Sequence, residues 1–232
     1  MEKANLWGSL NPLNIFKVIG HNIRFRKEHP EYFNPEGLLV FCGSQGQGKT
    51  LSAVQYVKKL TYQYPKMKLV TNVEIKGLNP DVEVIEYDGL DCIKNIENGE
   101  YGVVYLIDEI HLEFNSLESK NIDIEIMIEV SQQRKQRKHI VGTSQVYGRL
   151  AKPFREQIRN AVLCHKVLGC IQFNLLIDGD KSKESNGELK TEKTGIYFWF
   201  HTPELYDSYD TYKKMKRYRN EWNGRKQKVV TI

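Results

Sequence analysis

Length, composition and charge restrict the kinds of protein that this chain can be. It has 232 residues, a net charge of +5, 40% hydrophobic residues and 27% charged residues. These values are typical of a soluble globular domain that can bury a substantial core. The apolar runs are far too short to cross a bilayer, and the amino terminus lacks the pattern of a secretory signal. Neither a membrane-spanning nor a secreted protein is therefore expected.

The cysteine pattern agrees with a reducing compartment. The four cysteines, Cys42, Cys92, Cys164 and Cys170, form no C-x-x-C pair and have no metal-ligand spacing with the histidines. We therefore expect packing residues rather than disulfides or a zinc site, and a cytoplasmic location.

The chain begins with an amino-terminal extension, residues 1–36, in which basic residues and apolar residues at helical spacing predict a helix. Beyond it, strands and helices are predicted to alternate. The predicted core elements are a strand at 38–42, a helix at 49–64, strands at 68–73 and 82–85, a short helix at 90–96, and strands at 102–109 and 139–145. This alternation predicts an α/β fold with a mostly parallel central sheet and helices on both faces.

Other segments carry weaker patterns. Residues 122–130 fit both a strand and a helix, and we predict a helix because two parallel core strands need a connection. After the core, the predicted elements are a helix at 154–160, strands at 161–168, 170–177 and 194–200, and a mobile polar loop at 178–193.

The strongest motif is the stretch 43–50, which has the G-x-x-x-x-G-K-T pattern of a phosphate-binding P-loop, or Walker A motif. Its glycines allow the backbone to turn and to point N–H groups at a polyphosphate, and the following helix adds its dipole. Lys49 would reach the β- and γ-phosphates, and Thr50 would ligate Mg²⁺. The predicted nucleotide-binding residues are Gly43, Ser44, Gln45, Gly46, Gln47, Gly48, Lys49 and Thr50.

Two adjacent carboxylates end the predicted strand that begins at residue 102. Asp108 and Glu109 follow an almost continuous apolar run, which is the form of a Walker B motif. Asp108 would hold Mg²⁺ directly or through water, and Glu109 would orient and deprotonate the attacking water. Many strands end in acidic residues, so a structural role is the alternative. The second acid favours hydrolysis over simple nucleotide binding.

The predicted strand 139–145 ends in three polar residues, Thr143, Ser144 and Gln145. The carboxyl ends of parallel strands line the ligand crevice of such sheets. Gln145 would therefore sense the γ-phosphate or hold the lytic water. A helix cap or a turn is the alternative role for such a strand end.

A dense cationic run, residues 132–138, precedes that strand. Such a run is commonly a solvated face. Its position also suits an arginine finger that acts on a neighbouring subunit, with Arg134 as the first candidate and Arg137 as the second. Arg155 and Arg159 are further candidates, or alternatively contacts to DNA phosphate. A finger acting in trans implies a ring of subunits, commonly a pentamer or hexamer.

The carboxyl-terminal residues 211–232 combine basic and aromatic side chains. Basic residues suit contacts to DNA phosphate, and interleaved aromatic residues suit base stacking. A charged, disordered terminus is the alternative.

Together these motifs resemble the FtsK–HerA branch of P-loop ATPases. Within it, they are similar to viral genome-packaging ATPases and to zonular-occludens-toxin-like phage assembly proteins. The resemblance is carried by residues 43–50 and 103–109, the run around Arg134, the strand end 143–145 and the Tyr-rich stretch 203–211. It implies an ASCE, RecA-like P-loop ATPase domain at 37–210, between the extension 1–36 and a basic tail at 211–232.

The resemblance also implies a function, a Mg²⁺-dependent ATPase that moves DNA, most simply a viral genome-packaging motor. Such a motor would work in the host cytoplasm or associate with the virion. It implies self-association into a ring, with DNA and capsid or portal proteins as partners. Zonular-occludens-toxin-like proteins carry a transmembrane helix after the ATPase domain. This chain ends without one, which favours a motor with no integral membrane segment.

Three other functions stay open. A phage assembly, extrusion or conjugative DNA-transfer ATPase would act with a separate membrane partner. A nucleotide-dependent switch or scaffold would bind ATP with little hydrolysis. A small-molecule kinase is disfavoured, because no acceptor site or Arg-rich lid accompanies the P-loop and because Glu109 suits water activation.

Overall fold

An eight-stranded mixed sheet with helices on both faces forms the centre of the protein. The computed structural model describes residues 13–35, 37–115, 124–133, 135–185 and 188–210. Its helices are α1 (Asn14–Glu28), α2 (Lys49–Gln63), α3 (Asp91–Asn95), α4 (Ile124–Gln132), α5 (Lys152–Arg155) and α6 (Pro203–Tyr206). Its strands are β1 (Leu38–Cys42), β2 (Lys68–Thr71), β3 (Glu74–Ile75), β4 (Glu83–Glu86), β5 (Val103–Ile107), β6 (Lys138–Ser144), β7 (Ile158–Val167), β8 (Ile171–Ser185), β9 (Glu188–Phe200) and β10 (Tyr209–Asp210).

The strands lie in the order β4-β2-β5-β6-β1-β7-β8-β9 across the sheet, and β3 pairs with β10 separately. The first six strands in this order pair in parallel, whereas β8 pairs antiparallel with both β7 and β9. Every residue of β5 and β6 is buried, because helices cover both faces of the parallel part. This arrangement confirms the predicted α/β fold class.

Strand β5 shows how the sequence covers both faces. Tyr105 and Ile107 contribute to one core cluster, in which α3, α4 and α5 also take part. Val104 and Leu106 contribute to the other cluster, which includes the apolar face of α2. Because successive side chains on a strand point to opposite faces, an unbroken apolar run supplies both cores.

The register of the three central strands brings the predicted motifs to one edge of the sheet. Strand β6 lies between β1 and β5, with Cys42 paired to Ser144 and Ile107 paired to Gly142. The P-loop leaves the carboxyl end of β1, and Asp108 leaves the carboxyl end of β5. The end of β6 therefore lies between the two predicted Walker motifs.

The segment predicted as a helix at 122–130 is confirmed as a helix over its described residues, Ile124–Gln132. It precedes β6, which pairs in parallel with β5. The helix predicted at 154–160 is wrong in extent, since α5 ends at Arg155 and β7 begins at Ile158. Ile158 is buried and pairs with Leu38 of β1, so pairing within the sheet overrides the local helical pattern.

The polar segment predicted as a mobile loop at 178–193 is instead strand in its described part. Residues 178–185 extend β8 and residues 188–193 belong to β9. Asp178 pairs with Glu192, and Ser185 pairs with Glu188. These polar residues can form strands because backbone hydrogen bonds between antiparallel strands do not require apolar side chains.

The predicted amino-terminal helix is confirmed as α1, which has no buried residue. The basic tail predicted at 211–232 lies outside the described residues, so the predicted domain boundaries stay predictions. No helix in the part of the chain that the structure describes combines the length and the hydropathy needed to cross a membrane.

Replacing Leu106 with alanine tests the packing of the core on the α2 face. Leu106 is 1% exposed, so we expect Leu106→Ala to lower the free energy of unfolding by about 2–5 kcal/mol. Urea denaturation of both proteins measures the difference. Leu112→Ala is the matched control, because Leu112 is 48% exposed. Equal losses in the two variants would contradict this account of the core.

Candidate nucleotide-binding site

The loop between β1 and α2 has a backbone that favours glycine. Gly43, Gly46 and Gly48 have φ angles of 150°, 78° and 78°, values that other residues rarely adopt. A Cβ on Gly48 would overlap the side chain of Gln172, and a Cβ on Gly43 would lie 2.8 Å from the carbonyl oxygen of Cys164. Both positions therefore require glycine for the turn and for the close packing against β7 and β8.

Helix α2 begins directly after this loop. Its first residue is Lys49, and the described residues provide no side-chain cap at this end. The amide N–H groups of the first turn therefore lack intrahelical partners, and with the helix dipole they favour an anion. Lys49 is buried, and its Nζ donates a hydrogen bond to the carbonyl oxygen of Ser44 at 3.1 Å. The ammonium group thus lies beside the loop that would hold phosphates.

A hydrogen bond joins the two predicted Walker motifs. The hydroxyl of Thr50 donates to Oδ1 of Asp108 at 2.9 Å, and Asp108 is buried. The hydroxyl of Thr143 donates to the same carboxylate oxygen. Hydroxyl and carboxylate oxygens are hard ligands, and Mg²⁺ is commonly bound by one or two carboxylates together with substrate phosphates. The donor set therefore fits Mg²⁺, which Thr50 and Asp108 would hold.

The backbone of Asp108 is fixed by a residue at the end of β2. The Asn72 side chain accepts a hydrogen bond from the amide of Asp108 at 2.9 Å and donates one to its carbonyl oxygen at 3.1 Å. The amide of Glu109 donates to the hydroxyl of Thr143 at 2.9 Å. Residues at the ends of β2 and β6 thus position both acidic residues.

Glu109 has an unusual backbone conformation. Its φ angle is 57° and its ψ angle is 42°, in the left-handed region. Such a conformation costs on the order of 1–3 kcal/mol in a residue other than glycine, and it is found preferentially at functional sites. Its Oε2 lies 3.6 Å from Nε2 of the buried His111. The structure therefore holds this acid in a defined position directly after Asp108.

Gln145 lies at the same edge of the sheet as the P-loop. It follows Ser144, the last residue of β6, and is half-buried. The hydroxyl of Ser144 donates to the carbonyl oxygen of Val146 at 3.0 Å, so it caps a turn. The γ-phosphate role of Gln145 stays a prediction.

The candidate arginine fingers are differently placed. Arg137 precedes the amino end of β6, the opposite edge of the sheet from the P-loop. Its guanidinium lies 3.5 Å from the centre of the Tyr32 ring and donates to the carbonyl oxygen of Phe33 at 2.9 Å. Arg155 precedes the amino end of β7. Arg134 and the side chain of Arg159 lie outside the described residues.

A cavity of about 190 Å³ lies over the P-loop. On one side it is lined by the P-loop and the start of α2. On the other side it is lined by Lys166, His201, Tyr206 and Tyr209. Burial raises the pKa of Tyr209, and the nearby carboxylate of Asp108 raises it further. The segment after β9 therefore lies beside the P-loop and close to Asp108.

The antiparallel part of the sheet also supports the P-loop. The side chain of Gln172 on β8 donates to the carbonyl oxygen of Gln47 at 3.0 Å. The side chain of Gln47 accepts a hydrogen bond from the amide of Lys166 at 2.8 Å. The loop conformation is thus fixed by β7 and β8 as well as by its own glycines.

Several of these residues could not be assigned from local patterns. Asn72 falls inside a predicted strand, although a polar residue after an apolar run is the same signal that identified Gln145. Lys166, His201 and Gln172 reach the P-loop only through the order of strands in the sheet. Their contacts depend on tertiary structure, and no motif in the sequence marks them.

No protein-family model matches the chain, and no curated protein matches it. Among solved structures, it is similar to the N-terminal domain of zonular occludens toxin from Neisseria meningitidis. The TM-score is 0.51 and the identity 16%, over 76% of this chain and 100% of that one. The chain shares the α/β fold of that domain. At this identity the likeness shows the fold alone.

A second similar structure is the genome-packaging NTPase B204 from Sulfolobus turreted icosahedral virus 2, solved with ATP-gammaS. Its TM-score is 0.49 and its identity 14%, over 69% of this chain and 98% of that one. The ATPase DotB from Legionella pneumophila gives a TM-score of 0.42 at 11% identity, over 65% of this chain and 48% of that one.

Replacing Asn72 with alanine tests the support of Asp108. We expect Asn72→Ala to weaken Mg²⁺ affinity in the presence of nucleotide by about 10–100-fold, because the backbone that positions the carboxylate is no longer fixed. A Mg²⁺ titration of fluorescent-nucleotide binding measures this. Asn98→Ala is the control, since the Asn98 side chain also makes two hydrogen bonds to the backbone, to the carbonyl oxygens of Lys66 and Gly102. The same Mg²⁺ affinity in both variants would refute the role of Asn72.

Proposed function

We propose that the protein is a Mg²⁺-dependent ATPase that translocates DNA, as the subunit of a viral genome-packaging motor. The observation that carries the ATPase proposal is the 2.9 Å hydrogen bond between Thr50 of the P-loop and the Asp108 carboxylate. It unites a phosphate-binding loop with a hard-oxygen metal site at the carboxyl edge of a parallel sheet. Ligands bind at this edge in open α/β sheets.

The proposed mechanism uses the residues in the following way. The P-loop amides and Lys49 bind the β- and γ-phosphates, and Thr50 and Asp108 hold the metal. Mg²⁺, when bound, neutralises phosphate charge and polarises the γ-phosphoryl group. Glu109 accepts a proton from the attacking water, and Gln145 contacts the γ-phosphate.

The proposed motor is a ring, pentameric or hexameric. Arg134 would complete the site of a neighbouring subunit as an arginine finger, with Arg137, Arg155 and Arg159 as the alternatives. The net charge of +5 and the basic, aromatic residues of 211–232 support DNA as the partner. A packaging motor would also contact capsid or portal proteins, and would act in the host cytoplasm or at the virion.

A second candidate function is phage assembly or DNA extrusion with a separate membrane partner. It is favoured by the structural similarity to the zonular occludens toxin domain, whose TM-score is 0.51. Flotation with vesicles separates the two candidates. A packaging motor would remain with DNA and would not float with the vesicles. An extrusion ATPase would float with vesicles that contain its membrane partner.

The experiment that tests the proposed function is ATP turnover with and without double- and single-stranded DNA, across a series of salt concentrations. We expect turnover to rise with DNA and the stimulation to fall steeply with salt, because contacts to phosphate release counterions. Turnover that is indifferent to DNA in an oligomeric sample would contradict the motor and favour a nucleotide-dependent switch or scaffold.

Replacing Glu109 with glutamine tests the assignment of the general base. We expect Glu109→Gln to bind ATP normally and to lose turnover by about 10²–10⁴-fold, because the amide cannot accept the proton. Parallel measurements of nucleotide affinity and turnover separate the two effects. Glu100→Gln is the control, since Glu100 is exposed and precedes the amino end of β5. Normal turnover of Glu109→Gln would make the proposed base wrong.

A further inference from the structure

A chain of hydrogen bonds runs from the P-loop to the segment after β9. Gln172 is fully buried on β8. Its Nε2 donates to the carbonyl oxygen of Gln47 at 3.0 Å and to Oδ1 of Asn174 at 3.1 Å. Its Oε1 lies 3.2 Å from Nε2 of His201. Because Nε2 has two acceptors as neighbours, the amide orientation is settled and Oε1 faces the imidazole.

The second half of this chain depends on the charge of His201. An amide oxygen can only accept, so Nε2 of His201 must carry a proton and donate it to Gln172. Nδ1 contacts the hydroxyl of Tyr206 at 2.5 Å, and that hydroxyl also lies 3.0 Å from the carbonyl oxygen of Gly169. In neutral His201, Nδ1 accepts a hydrogen bond from the Tyr206 hydroxyl. The same hydroxyl proton cannot then be donated to the carbonyl oxygen of Gly169. In the imidazolium, Nδ1 donates to Tyr206 and Tyr206 donates to Gly169.

All three contacts are therefore satisfied together only when His201 is charged. The same ring lines the cavity over the P-loop. The other titratable groups that line this cavity are Lys49 from α2, Lys166 from β7, Tyr206 from α6 and Tyr209 from β10. The charged groups among them are cations, which disfavour a further positive charge on His201.

Without a bound anion, the surroundings of His201 oppose a positive charge on the ring. Burial lowers the pKa of His201 below its ordinary value, and the Lys166 ammonium lowers it further. A polyphosphate in the cavity has the opposite effect, because a nearby anion stabilises the charged form. Since a nucleoside triphosphate carries several negative charges, its binding would reverse the preference of the ring.

We propose that His201 takes up a proton when a nucleoside triphosphate binds, and that the resulting imidazolium holds the segment after β9 against the P-loop. The proposal rests on the proposed function, because it requires nucleotide in this cavity. The proton comes from solvent and is held at Nδ1. The charged ring then donates to Gln172, which supports the P-loop through its contact with Gln47. It also donates to Tyr206, whose hydroxyl can then donate to Gly169.

The sign of the pH dependence follows from linkage. The complex holds more protons than the free protein, so affinity for the nucleotide strengthens as pH falls. For one proton, the affinity changes by at most tenfold per pH unit. This change occurs between the lowered pKa of free His201 and its raised pKa in the complex. Above the raised pKa the dependence vanishes.

The test is isothermal titration of the protein with ATPγS and Mg²⁺ in buffers of different ionisation enthalpy, between about pH 6 and 8. The slope of the observed enthalpy against buffer enthalpy gives the protons taken up. We expect net uptake that approaches one proton per nucleotide. His201→Gln should abolish this uptake, because glutamine retains an N–H donor toward Gln172 but cannot be protonated. His21→Gln, on exposed α1, should retain the uptake.

Subtracting the proton uptake measured with His201→Gln corrects for any proton that the ligand itself takes up. Tyr206→Phe provides a second variant, which keeps the imidazole and removes the hydroxyl that accepts its proton. We expect it to reduce proton uptake, and thermal unfolding confirms that each variant is folded. Nucleotide binding with the same uptake in the unmodified chain and His201→Gln would overturn this proposal and leave the proposed function intact. Failure of the folded, unmodified chain to bind ATPγS would overturn both.

Discussion

The site depends on the hydrogen bond between Thr50, in the helix that follows β1, and Asp108, which follows β5; these two strands are not neighbours in the sheet. Strand β6 lies between them and fills the gap with Thr143, which donates to the same carboxylate. This contact requires all three strands to keep their register. A one-residue shift of β5 would move Leu106 to the opposite face. Core packing and the geometry of the site are therefore maintained by the same register.

Much of the fold could be predicted from the sequence, because its central strands are buried on both faces and form continuous apolar runs. Two segments show the limits of that approach. The paired segments 178–185 and 188–193 have the composition of a loop, and their pairing uses backbone groups, which do not impose a side-chain pattern. The end of α5 at Arg155 depends on Ile158, which pairs with β1. Such pairing is a property of the folded sheet.

The site was predictable where its residues are contiguous in the chain. The P-loop and Asp108 carry their chemistry in a local pattern, and the structure joins them. Asn72 and Gln172 act by contacts between strands, and a single amide side chain within a strand pattern predicts nothing specific. Arg134, the predicted finger, would act between subunits, so its role does not follow from the fold of one chain. The residues around the P-loop thus divide into those marked by sequence and those positioned by topology.

Crystallography can test whether Thr50 and Asp108 form a metal site beside the P-loop. Crystals grown with ATPγS and Mn²⁺ in place of Mg²⁺ would give an anomalous signal at the metal. We expect one peak within coordination distance of Thr50 Oγ1, next to the Asp108 carboxylate and the phosphates on the P-loop. A nucleotide bound elsewhere, or a metal peak away from both residues, would contradict it.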